Sequence, residues 1–289
     1  MPTYLGVDGT SLYYDELGRP ESAGGPPLIL LGGGPARHPR YLGDLAGLGD
    51  RHRLVVPHLR GVGRSPEPAA VELGSWWCQA EDVDRLRGQL GLEQVLLVAH
   101  SAGTPLAIGY ATRFPSRVAA MVLITPPAGL LVDVPSDSPE LMADRRGEPA
   151  LEAAIEAWGV GLTIDDEHFD EWQRRAAPIG YAAWGETERA HAADAEYGLA
   201  ARRAYFSVDP PEDLTDRLTG IEAPVLVVAG ARDYVTGLAP VLALAELFPA
   251  GELATIEHCG HFPWVEQPTA FRRAVDGFLD TVAPPAAAG

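Results

Sequence analysis

Short apolar runs, each closed by glycine or another loop former, recur along the chain. Pro27–Leu31 ends in Gly32-Gly33-Gly34-Pro35, and Arg53–Pro57 leads to Arg60-Gly61-Val62-Gly63-Arg64-Ser65. Val95–Ala99 stops on His100-Ser101, Val118–Ile124 and Pro224–Ala229 repeat the pattern, and Gly251–Ile256 adds a further short strand. Uninterrupted runs of this length predict parallel strands buried on both faces, with helices between them. Ser75 is placed to cap a helix over Trp76–Gln89 that carries Val83, Leu86 and Leu90 on one face. Val241–Leu247 reads as another helix. The first segment alternates around Asp8-Gly9, as a hairpin does.

Between about Pro127 and Asp213 the pattern changes. The stretch is acidic, alanine-rich and helical in period, with Trp158, Trp172, Tyr181, Trp184, Tyr197, Tyr205 and Phe206. It interrupts a strand–helix alternation that resumes at Pro224. The expected organisation is an α/β core over 1–126 and 214–289 with a helical cap, 127–213, inserted into it. Most of the cap aromatics should pack between its helices, with one or two lining a pocket between cap and core.

The run that ends at Ser101 carries the chemistry. A strand, a serine between the small residues Ala99 and Gly103, and a helix-like segment make the layout of a nucleophile elbow. Small residues are needed there because the turn brings strand and helix backbones together. A serine hydroxyl is a poor nucleophile at neutral pH; it needs a base, and the base needs an orienting carboxylate. In an open α/β sheet these come from loops at the carboxyl ends of strands. Asp233 follows the fifth run and His261 lies just beyond the Gly251–Ile256 strand, so they are the candidates. Negative charge developing on a carbonyl oxygen calls for preorganised N–H groups. Ala102 is expected to supply one and Gly34 the other, with Gly33 in reserve.

Other readings of these motifs fail. The glycine loop is not a phosphate loop, because the chain has no Lys and so no G-K-[ST]. Gly61-Val62-Gly63 lacks the third glycine of a dinucleotide site. His258, Cys259 and His261 share one short loop with no second ligand cluster, so neither a metal nor a cofactor is expected. Cys78 has no motif and is expected to be a small buried apolar residue.

Composition narrows the partners. The formal net charge is −18 over 289 residues. Such a surface repels phosphate backbones and anionic bilayers, which excludes nucleic acid and membrane as partners. All 22 basic residues are Arg, and Asn is absent as well; with the Ala/Gly/Pro richness this reads as codon bias of a GC-rich bacterial genome. Two cysteines make no disulfide framework and fit a reducing compartment. Met1–Asp8 has no basic region or apolar signal core, and no apolar run approaches the ~20 residues of a membrane helix. A cytoplasmic protein is expected, with 283–289 as a frayed end.

Taken together, the motifs resemble those of the α/β-hydrolase superfamily and, within it, the proline iminopeptidase-like branch. Ser101, Asp233 and His261 stand in the superfamily's chain order. Gly32-Gly33-Gly34-Pro35-Ala36 is similar to the branch's H-G-G-P-G loop, with Gly32 for the histidine and Ala36 for the last glycine. Arg60–Ser65 resembles its R-G-x-G-x-S loop, preceded by His58 where an aspartate is usual. Glu81–Arg87 resembles the helix before the nucleophile strand, and Gly260–Pro268 the histidine loop. Ala102 stands where the branch commonly has Trp. The resemblance implies cap residues that bind substrate: Trp184 and Glu186 at the place of an amine-binding acid, and Arg202 and Arg203 just before Tyr205-Phe206, where another acid is usual. Arginine there would favour a carboxylate or carbonyl over an ammonium group. The expected activity is a serine hydrolase acting on an ester or amide of a small, partly apolar or short peptide-like substrate. An iminopeptidase-like aminopeptidase and a biosynthetic lyase or cyclase on the same fold are the alternatives; a non-enzymatic ligand-binding protein is opposed by the complete triad.

Overall fold

Alternate residues of each apolar run face opposite sides of a sheet, and both sides are covered. The computed structural model describes residues 2–18, 25–160 and 167–282; the tail expected to fray, 283–289, and Met1 lie outside them. Among the described residues the strands are β1 (Thr3–Leu5), β2 (Ser11–Leu17), β3 (Leu28–Leu31), β4 (Leu54–Pro57), β5 (Val95–His100), β6 (Val118–Ile124), β7 (Val225–Gly230) and β8 (Gly251–Ile256). They form one sheet in the order β1-β2-β4-β3-β5-β6-β7-β8. β1 and β2 run antiparallel to their neighbours, and β4 through β8 are parallel.

On one face Ile29, Leu31, Leu97 and Val227 pack with Trp76, Val83 and Leu86 of α1 (Trp76–Gln89), Leu106 of α2 (Gly103–Arg113) and other helical residues. On the other face Leu28, Leu30, Val98 and Leu226 meet Phe271, Val275 and Phe278 of a C-terminal helix, Pro268–Val282. Burial on both faces is why these runs lack polar alternation. The antiparallel edge differs: in β2 only Leu12 and Tyr14 are buried, so the strand alternates.

Ser75 Oγ accepts the Cys78 N–H at 3.1 Å, which caps α1 as expected. Cys78 itself is half-buried rather than fully buried, because it sits at the rim of the helix's packed face. Arg60 is fully buried and paired: it forks onto Asp8 at 2.9 Å through two nitrogens and onto Asp82 at 2.6 and 3.0 Å. That arginine therefore ties the N-terminal hairpin to α1 and is spent on structure.

Between β6 and β7 the chain forms a run of helices: α3 (Ser138–Leu141), α4 (Pro149–Val160), α5 (Phe169–Ala176), α6 (Glu186–Ala193), α7 (Leu199–Tyr205) and α8 (Leu214–Arg217). After β7 come α9 (Ala239–Ala245), α10 (Pro263–Glu266) and α11, the Pro268–Val282 helix. α9 starts two residues before the expected helix, because Pro240 fits its first turn. No described helix is long and apolar enough to cross a membrane.

The strand order places the site. β3 is followed by β4 on one side, while β5 pairs with β3 on the other. Ligand crevices in open α/β sheets form where the order reverses in this way, beyond the carboxyl ends of the strands.

Candidate active site

Ser101 sits at the turn from β5 into α2 with φ = 50°, a left-handed conformation that costs a non-glycine residue about 1–2 kcal/mol. The turn is held from both sides. The Ser101 N–H donates to the Ile124 carbonyl at 2.9 Å, and the Ser101 carbonyl accepts the Thr104 N–H at 2.8 Å and its hydroxyl at 2.7 Å. The expected need for a small residue at Gly103 is met literally: a Cβ there would lie 2.5 Å from the Leu31 carbonyl oxygen and 2.6 Å from that of Gly32. Gly33 is as tight, since its Cβ would press on the His100 carbonyl oxygen and lie 2.7 Å from Ser101 Cβ. Two glycine approaches thus dock the Gly32–Gly34 loop against the elbow.

Asp233, after β7, and His261, after β8, reach the same point. His261 Nε2 lies 2.8 Å from Ser101 Oγ, and Nδ1 lies 2.9 Å from Asp233 Oδ2. Asp233 is buried, and its carboxylate is filled: Oδ1 accepts the Val235 and Thr236 N–H groups at 2.9 and 3.3 Å, and Oδ2 accepts the Thr236 hydroxyl at 2.6 Å. A carboxylate fixed in this way holds the imidazole with its proton on Nδ1 and a lone pair toward Ser101.

The two candidate oxyanion donors separate cleanly. The Gly33 N–H donates to Tyr41 Oη at 2.6 Å and is occupied. Among the described residues the Gly34 and Ala102 N–H groups have no acceptor. Gly34, with φ = 52°, and Ser101 line one cavity of about 140 Å³. Its wall also takes Trp158, Trp172, Tyr181 and Tyr197, four of the seven cap aromatics named from the sequence, where one or two were expected. No Asp or Glu among the described residues lines it.

The other sequence-derived binding residues lie elsewhere. Trp184 packs against Tyr181 and the core, with ring centroids 5.4 Å apart. Glu186 is exposed in the first turn of α6. The Arg202 guanidinium lies 4.4 Å over the Phe169 ring, and Arg203 is exposed. Tyr205 is buried, and its hydroxyl donates to the Ala102 carbonyl at 2.6 Å. The reason is the helix phase of α7: Ala201, Ala204 and Tyr205 form its buried face, so this face meets the core rather than the cavity. His258 is exposed and Cys259 buried, with burial raising its thiol pKa. Among the described residues no group of three metal-binding side chains converges.

Residues that sequence reasoning passed over form a hydrogen-bonded frame behind the triad. His100 is buried, and burial, followed by the neighbouring His261, drives its pKa well below the usual histidine range. Its Nε2 meets the His261 carbonyl at 2.9 Å, an acceptor, so that nitrogen carries the proton. Nδ1 then accepts from Tyr41 Oη at 2.7 Å, and Tyr41 Oη accepts from Gly33. The Thr125 hydroxyl adds a second donor to the His261 carbonyl at 3.1 Å. The chain of bonds runs from the glycine loop to the histidine loop. A signal existed in the sequence: alternation along β5 puts His100 on the Leu96–Val98 face, which is buried, so it needed partners.

The cap is fastened to this frame. His191 Nε2 donates to the Tyr41 carbonyl at 3.0 Å and Nδ1 accepts from Tyr181 Oη at 2.7 Å, with burial lowering its pKa to about 4. The Gly180 carbonyl accepts the His261 N–H at 2.9 Å. Glu266 accepts the Ala182 and Gly260 N–H groups, each at 2.7 Å. Burial pushes the Glu266 carboxyl up to about 7, against the lowering effect of those N–H donors. A carboxyl raised above its unfolded value of ~4.3 contributes stability that is complete below that value and lost as pH rises through 7. The difference in thermal midpoint between wild type and Glu266→Gln is therefore expected to shrink in wild type's disfavour from pH 4.5 to 7.5. Melting curves at half-unit steps check this, and a pH-independent difference would refute it.

The family model described as the alpha/beta hydrolase fold matches residues 26–268. A proline iminopeptidase of Heyndrickxia coagulans is 25% identical over 284 residues, covering 91% of this chain and 93% of its own. A 2-hydroxy-6-oxo-6-phenylhexa-2,4-dienoate hydrolase of Burkholderia cepacia is 24% identical over 282 residues, covering 95% and 93%. The solved structure of an esterase from Rhodococcus sp. superposes with a TM-score of 0.72 at 25% identity, over 97% of this chain and 98% of that one.

Proposed function

Because the chain belongs to the α/β-hydrolase fold family, a family of hydrolytic enzymes among its relatives, we propose that it is a serine hydrolase cleaving an ester of a small, partly apolar substrate. The observation that carries this reading is the continuous line of Asp233, His261 and Ser101, at 2.9 and 2.8 Å, with His261 and Ser101 in the wall of a cavity between cap and core. Ser101 Oγ attacks the scissile carbonyl carbon and its proton passes to His261 Nε2. The Asp233 carboxylate stabilises the imidazolium. The Gly34 and Ala102 N–H groups receive the oxyanion. His261 returns the proton to the leaving oxygen as the carbon–oxygen bond breaks, leaving an acyl-serine. Water, losing a proton to His261, attacks that ester; the acid leaves and Ser101 is restored.

The cavity, about 140 Å³, is below the ~300–1,000 Å³ typical for drug-sized ligands, which favours small acyl groups. Its wall sets the preference between ester and aminopeptidase substrates. A free amine needs a carboxylate, none lines the cavity among the described residues, and Glu186 points to solvent. A short-chain aryl ester, a prolyl arylamide and its N-acetyl twin are the deciding panel, each run beside Ser101→Ala. Turnover of the ester, lost in Ser101→Ala, is expected. Cleavage confined to the free-amine arylamide would overturn the esterase reading in favour of an aminopeptidase.

A further inference from the structure

Arg37 is 7% exposed and lines the same cavity as Ser101, yet no Asp or Glu among the described residues lines that cavity. Its Nη2 donates to the Asp194 carbonyl at 2.9 Å. Its guanidinium lies 4.1 Å over the Tyr41 ring and 5.8 Å from that of Phe262. Nε is buried without an acceptor. The Asp194 carboxylate is taken by Arg40 at 2.5 Å, and among the described residues no carboxylate is ion-paired with Arg37. The other buried arginines among the described residues are each ion-paired, Arg60 with Asp8 and Asp82 and Arg145 with Glu148, so the contrast lies within one molecule.

Taking a cation out of water is costly unless a counter-charge is supplied. One neutral carbonyl and an aromatic face offset part of that cost and leave a planar fork with free N–H capacity. We infer that Arg37 receives a carboxylate of the substrate while the scissile carbonyl lies at Ser101. This rests on the serine-hydrolase reading for the second half of the statement only. The substrate is then a monoester or related acyl compound that carries a free carboxylate on its acyl side. The choice is made inside the cavity, because a chain of net charge −18 offers an anion no long-range attraction.

The test separates binding from turnover. Ser101→Ala protein is titrated calorimetrically with butyrate, butyramide and inorganic phosphate. Butyrate is expected to bind about 10- to 100-fold more tightly than butyramide, the range for a hydrogen bond to a charged group. Arg37→Met in the same background is expected to remove that preference, and Arg37→Lys to retain part of it. Equal affinity for butyrate and butyramide would overturn the proposal, and tighter binding of phosphate than butyrate would overturn the carboxylate assignment. The comparison of the two ligands needs no change at Arg37, so a misfolded Arg37→Met leaves it decisive. The wild-type kcat/KM for the 4-nitrophenyl monoester of glutaric acid should exceed that for 4-nitrophenyl butyrate, and the ratio should fall at least about tenfold in Arg37→Met. An equal loss on both esters would mark Arg37 as structural. If neither ester is cleaved while the butyrate preference holds, the hydrolase reading fails and the carboxylate site stands.

Discussion

Ser101→Ala is expected to lower kcat on the aryl ester by about 10⁵- to 10⁶-fold, the scale seen when a triad serine is removed. In the proposed mechanism that oxygen is the reacting atom, and the neighbouring Thr104 hydroxyl cannot replace it, since Oγ1 is engaged with the Ser101 carbonyl. The fold should survive. The backbone bonds that hold the elbow, to Ile124 and from Thr104, do not involve the Ser101 side chain. Alanine inherits the left-handed φ of 50° at the same steric cost. The measurement is steady-state turnover beside a melting curve, with an active-site phosphonate label as a third readout. Full activity in a well-folded Ser101→Ala would remove Ser101 from the chemistry.

Asp233→Asn is expected to cost about 10⁴-fold in kcat with little loss of stability. The direction of the amide is set by the surroundings. Oδ1 accepts two backbone N–H groups, from Val235 and Thr236, so an amide NH₂ is disfavoured there. It falls instead on the side of His261 Nδ1, at the 2.9 Å contact. An N–H donor at that place leaves Nδ1 as the acceptor and moves the imidazole proton to Nε2, where it cannot take the proton of Ser101. A loss of less than about tenfold would show that the carboxylate only fills space.

How much of this was legible depends on what each residue's signal is. Most strands were legible because burial on both faces erases polar alternation; Ser101 and Asp233 each follow such a strand, whereas His261 follows β8, a largely exposed edge strand found by its position in the strand–loop order. The sequence placed Gly34 ahead of Gly33; the Tyr41 hydroxyl, eight residues from Gly33, occupies the Gly33 amide. The cap was harder. Trp184, Glu186, Arg202 and Tyr205 were placed by resemblance; Trp184, in the turn before α6, packs on the core, and helix phase turns the other three to solvent, to a neighbouring ring or to the core. Arg37 was passed over because a basic residue in a loop ordinarily reaches solvent. Its burial follows from the pairing of the 36–38 segment with 196–198, where His38 N–H meets the Glu196 carbonyl at 2.7 Å and Gly198 N–H meets that of Ala36 at 3.0 Å. Such non-local pairing leaves no mark on either segment alone.

The bond from Tyr205 to the carbonyl of Ala102 has a consequence for engineering. Caps are attractive units of exchange, since they line the pocket while the core keeps the triad. Here the inserted segment supplies a donor to the residue after the nucleophile, and through His191 and Gly180 it holds Tyr41 and His261 as well. A transplanted cap without counterparts of Tyr205 and His191 would strip hydrogen bonds from the floor of the cavity while changing the walls. The cavity wall is therefore not a detachable module: pocket redesign has to keep the α6–α7 anchors and work on the α4–α5 flank, where Trp158 and Trp172 stack 5.9 Å apart.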